Sequence, residues 1–133
     1  MLQRYNKIKS DEYKHSELRN LSYVAWEKTP SSQDSIDARS LADELLQKAR
    51  SNEEFASLAN QYTMDPSNQG TKGGDLGWFK KGRMVKPFEE AAFKAKKDQV
   101  IGPILSRFGY HIIHVRDKRV DKKGDNEVLA SHI

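Results

Sequence analysis

Apolar residues in this chain fall into spaced clusters, and the spacing changes along it. Residues 1–17 are mostly polar and read as a connector. From Leu18 to Trp26 side chains alternate, with Leu21, Tyr23 and Ala25 on one face and Ser22, Val24 and Trp26 on the other, which predicts a strand. Thr29, Pro30, Ser31 and Ser32 end it as a turn. Ala38, Leu41, Ala42, Leu45, Leu46 and Ala49 then follow three-four spacing, predicting a helix capped by Asp34 or Ser35 and ending near Arg50. Ser51 followed by Glu54 has the form of a capping box, opening a second helix with Phe55, Leu58, Ala59 and Tyr62 inward. A turn-rich stretch from Asp65 to Gly77 leads to the short apolar segment Trp78–Phe79. Pro87 can open a third helix with Phe88, Ala91 and Ala92 inward. Val100 to Leu105 and Gly109 to Val115 read as strands. Strands and helices mix without regular βαβ alternation, so the expected class is α+β, with four short strands and about three helices.

A chain of 133 residues accommodates one domain, and its 36% hydrophobic and 32% charged residues suit a folded centre with polar ends. The net charge of +4 is spread among acids, as in Arg116 to Lys123, without the single-sign stripe of a nucleic-acid reader. No nucleic-acid partner is expected. With no cysteine, disulfides, thiolate catalysis and Cys-ligated metals are excluded. No apolar run approaches the ~18 residues of a membrane span and no signal-peptide core follows Met1, so no membrane contact is expected within these residues.

The run Gly73-Gly74-Asp75-Leu76-Gly77-Trp78-Phe79, continued by Gly82-Arg83-Met84 and Pro87-Phe88-Glu89-Glu90-Ala91-Ala92-Phe93, resembles the central motif of parvulin-type peptidyl-prolyl cis/trans isomerases. Gly102-Pro103-Ile104 and Phe108-Gly109-Tyr110-His111-Ile112-Ile113 are similar to that family's closing pair of strands, so the resemblance spans residues 18–119. It implies a parvulin/FKBP-like four-stranded antiparallel sheet wrapped by helices. It also implies rotation about X-Pro bonds of unfolded or exported proteins, without cofactor or metal, in the periplasm or cell envelope. A targeting segment would then lie outside these residues.

Such catalysis needs no nucleophile. The X-Pro barrier of about 18–20 kcal/mol arises from amide resonance, and a slot that prefers the twisted amide lowers it. The resemblance places Leu76, Met84 and Phe88 in the proline slot, with Phe108 closing one side. Leu76 is equally readable as a core residue. His111 matches the family's histidine on the last strand, whereas by itself it reads as a hydrogen-bonded core residue. Asp65 falls where parvulins carry a Cys or Asp facing the substrate, and is otherwise a turn residue before Pro66. Tyr23 stands where many parvulins have a first-strand histidine; its phenol can bond to His111 but does not titrate near neutrality, which implies weak or absent activity. Lys28 is the single cation of the loop 27–34, so no phosphate requirement is expected.

Two functional classes follow: an isomerase with broad preference for exposed X-Pro segments, and a noncatalytic polypeptide-binding module of a chaperone. Residues 120–133 are expected to be a linker followed by the start of a second, truncated parvulin module, because Ser131-His132-Ile133 echoes Ser22-Tyr23-Val24. Lacking a sheet of its own, that segment is expected to be mobile and dispensable.

Overall fold

The computed structural model describes residue 22 and residues 29–51, 54–66, 68 and 72–133. The strand expected over residues 18–26, with Tyr23 and Lys28, and the connector 1–17 lie outside the described residues apart from Ser22. Helix α1 is Ser32–Arg50, α2 is Phe55–Tyr62 and α3 is Lys86–Lys94; the strands are β1 Asp75–Lys80, β2 Gln99–Ser106, β3 Gly109–Val120 and β4 Asn126–His132. The four strands form one antiparallel sheet in the order β1-β4-β3-β2. This is the α+β fold that the pattern implied.

Two helix starts differ from expectation. Ser31, not Asp34 or Ser35, caps α1: its Oγ accepts the Asp34 N–H at 3.1 Å while the Asp34 carboxylate accepts the Ser31 N–H at 2.8 Å. Asp34 is the return arm of a capping box. The Ser51–Glu54 pair makes no such box, because Ser51 is used at the C-terminus of α1, where its N–H bonds the carbonyls of Gln47 and Lys48. Glu54 is the N-cap of α2, its carboxylate accepting the Ser57 hydroxyl at 3.1 Å rather than a backbone N–H of the first turn.

The larger correction concerns the end of the chain. Residues 126–132 are no mobile tail but a central strand, paired with β1 on one side and β3 on the other. The boundary expected at residue 119 therefore moves, and the folded unit includes β4. The short alternation Val128, Ala130, His132 supplies the physical reason, since these side chains face the core and are at most 8% exposed. The intervening residues form a turn braced by Lys80, whose ammonium binds the carboxylates of Asp121 and Asp125. Asp121 also accepts the N–H groups of Lys123 and Asp125. The Lys80 ammonium and these backbone donors lower the Asp121 carboxyl to about 2.

The sheet is covered on both faces. On one, Phe79, Ile113, Val115, Val128 and Ala130 pack against Phe88 and Ala92 of α3. On the other, Ile112 packs against Leu45 and Leu46 of α1 and Leu58 of α2. Lys118 of β3 donates to the carbonyls of Phe93 and Ala95, tying the C-terminal end of α3 to the sheet. The helix that carries Phe88 is thereby fixed over the strands that carry the histidines.

Candidate active site

Four polar side chains converge at the end of the sheet beside α3. His111 and His132 sit on neighbouring strands, pointing to the α3 face, with rings 6.0 Å apart and inclined by 22°. Phe88 presents its ring nearly perpendicular to both, at 5.5 Å from His111 and 5.8 Å from His132. Each histidine has a polar partner outside the pair. His111 Nε2 lies 2.6 Å from Ser106 Oγ, and His132 Nε2 lies 3.1 Å from Asp65 Oδ2.

Burial pushes both imidazoles below their ordinary range; for His111 the neighbouring His132 adds to this and Asp65 opposes it. For His132, burial is again the larger influence and Asp65 the opposing one. Both shifts favour the neutral ring. A carboxylate can only accept, so the His132 Nε2–H donates to Asp65 and its Nδ1 carries the lone pair. The site sets two imidazoles and one carboxylate against an aromatic ring, and among the described residues no group of three or more His, Asp or Glu is arranged to hold a metal ion.

Two glycine motifs explain how the backbone reaches this geometry. Gly74 has φ +70° and its carbonyl accepts the His132 N–H at 2.9 Å; a Cβ there would lie 2.0 Å from the His132 carbonyl oxygen. Gly102, at φ +142°, lies in the irregular part of β2 opposite His111, and a Cβ would meet the His111 carbonyl oxygen at 2.8 Å. The Gly-Gly-Asp and Gly-Pro motifs thus pass directly behind the two histidines.

Of the residues expected at the site, the structure brings Asp65 and His111 together. Tyr23 lies outside the described residues. His132 belongs to the site although its segment was read as a tail, and Ser106 was not anticipated; the echo of Ser22-Tyr23-Val24 in Ser131-His132-Ile133 was the available signal for His132. In the expected slot, Leu76 and Met84 are half-buried against the cluster that contains Phe88. Phe88 is only 3% exposed, so it forms the floor rather than a free wall. Phe108 is 69% exposed, with the Arg107 guanidinium 4.7 Å above its ring.

The family model for the PPIC-type PPIase domain matches residues 2–119. The chain belongs to this family. The PPIC-type match ends before β4, so His132 comes from a strand outside the matched stretch. Similar proteins include the foldase protein PrsA of Geobacillus sp. (strain WCH70), 51% identical over 65% of this chain and 31% of its own length. PrsA of Bacillus subtilis (strain 168) is 40% identical over 69% of this chain and 33% of its own. The matched part of this PPIC-type chain is about a third of each of those foldases. A crystal structure of peptidylprolyl isomerase PrsA from Bacillus anthracis is similar at a TM-score of 0.58 and 33% identity, covering 67% of this chain and 47% of that one.

Proposed function

We propose that this PPIC-type domain catalyses cis/trans exchange of X-Pro bonds in extended, unfolded polypeptide, with no need for a phosphorylated residue before the proline. The observation that carries the proposal is the pair of imidazoles, His132 buried and His111 half-buried, that meet the buried Phe88 ring nearly perpendicularly, in a cluster against which Leu76 and Met84 also pack. Planar amides are stabilised by charge separation between nitrogen and oxygen, and a twisted amide loses it. An apolar slot that grips the proline ring disfavours the planar form relative to the twisted one. Ser106 and Asp65 hold the two rings, so polar contacts to the substrate are oriented in advance. A thousandfold acceleration asks for only about 4 kcal/mol of such preference.

The similarity to foldases supports polypeptide clients and a cell-envelope location. Exchange of an unphosphorylated proline peptide, followed by line-shape or exchange NMR, tests the activity. Enhancement that is lost in His111→Ala is the expected result. Peptide binding with no enhancement would instead assign the domain to noncatalytic client holding.

A further inference from the structure

The carboxylate that orients His132 is itself held by a residue with no evident reason to be buried. Asn68 is 3% exposed. Its Nδ2 donates to Asp65 Oδ2 at 3.4 Å, the same oxygen that receives His132 Nε2 at 3.1 Å. Its backbone N–H bonds the Asp65 carbonyl at 2.9 Å, closing a turn around Pro66. On the other side, Thr63 is 7% exposed and its Oγ1 accepts the Asp65 N–H at 3.3 Å. Asp65 is thus clamped from both directions in the chain.

The amide orientation follows from chemistry: turned over, its carbonyl would face a carboxylate, so the NH2 group points to Asp65. In that orientation Asn68 Oδ1 is buried and finds no hydrogen-bond donor among the described residues. A buried amide satisfied at one end costs free energy that an apolar side chain of similar volume avoids. Stability alone favours Leu at this position, whereas the Asp65–His132 contact favours an amide.

We infer that Asn68 is a positioning residue, which fixes the Asp65 carboxylate so that His132 is held with its Nε2–H toward Asp65 and its lone pair free on Nδ1. The relay runs Asn68, Asp65, His132, and its outer end lies beside His111 and Phe88. Among the described residues, the titratable groups facing His132 are Asp65 from the segment after α2 and His111 from β3, while α3 presents the uncharged Phe88. The contribution to turnover rests on the isomerase reading above; the effect on His132 does not.

The test uses Asn68→Leu in the full chain, with Asn68→Ala carrying the same measurements if the leucine variant does not fold. His132 is titrated by NMR, the urea midpoint is measured, and kcat and KM are compared with the unsubstituted chain. Loss of the amide removes one hold on the Asp65 carboxylate, so His132 titrates at lower pH. The expected result is that shift with a urea midpoint retained or raised in the leucine variant, and kcat lowered roughly threefold or more at unchanged KM. In an Asp65→Asn background the same substitution leaves the His132 titration unmoved. An unchanged His132 titration, or a shift that persists without Asp65, overturns the assignment. If the unsubstituted chain shows no exchange activity, the titration and its dependence on Asp65 still decide the role of Asn68.

Discussion

Replacing Gly74 by alanine separates two demands that the Gly-Gly-Asp turn makes on the chain. The first is conformational: φ is +70°, and a non-glycine residue in the left-handed region costs about 1–2 kcal/mol. The second is contact. A Cβ would stand 2.0 Å from the His132 carbonyl oxygen, so the turn and β4 must part, weakening the His132 N–H to Gly74 bond, worth about 0.5–1.5 kcal/mol. Together these give roughly 1.5–3.5 kcal/mol, a large share of the 5–15 kcal/mol typical of a domain. Gly82 is the internal control, since its φ is +86° and nothing lies within 4 Å of a Cβ built there. Gly82→Ala should therefore cost only the conformational part, about 1–2 kcal/mol. Urea unfolding of both variants at pH 7 gives the difference directly. NMR shifts of the His132 imidazole should move in Gly74→Ala and stay put in Gly82→Ala. Equal losses of stability, with His132 undisturbed in both, would refute the argument that this glycine makes room for the histidine strand.

Three further outcomes are expected. Removing residues 121–133 should abolish cooperative unfolding, because it takes Val128 and Ala130 from the core, removes the strand that β1 pairs with and leaves β3 paired with β2 alone; a truncated chain that melts at the original midpoint would contradict the pairing. His111, His114 and His132 all titrate below their unfolded value of about 6.5, so the unfolded chain binds protons first. Stability is full above that value and falls as pH drops below it toward the folded values; a urea midpoint that rises from pH 7 to pH 5 would refute this. Met84→Ala should weaken proline-peptide binding with little change in stability, whereas Phe88→Ala, emptying a site 3% exposed, should cost about 3–5 kcal/mol before binding can be assessed, both measurable by peptide titration and urea melts.

Local pattern carried most of the helices and the β2–β3 hairpin. Three-four spacing in α1 and alternation in β3 are properties of adjacent residues, and Phe88 and His111 sit in long motifs. What was not legible depends on distant partners. β4 offers only seven residues with three core-facing side chains, and nothing local says that β1 and β3 leave a gap between them. His132 was therefore misplaced along with its strand. Ser106 and Asn68 are ordinary polar residues by type, and their convergence on His111 and Asp65 appears only when the sheet is assembled. The helix caps were misread by three or four residues because Asp34 and Glu54 are both good N-terminal residues, and the choice between cap and return arm is made by backbone geometry.

The place of β4 also sets an order of assembly. The turn at residues 121–125 lets β3 and β4 meet as a local hairpin, an event of about 1–10 μs in simple cases. β1, by contrast, reaches β4 only across α3, β2 and β3, with Asp75 paired to Ser131, and such distant closures are slow. Gly74 meets His132, and Asp65 meets the imidazole, only when that last ladder zips. The two histidines can thus be neighbours on the hairpin while the carboxylate arm is still absent, and the site is complete only at the final step of folding.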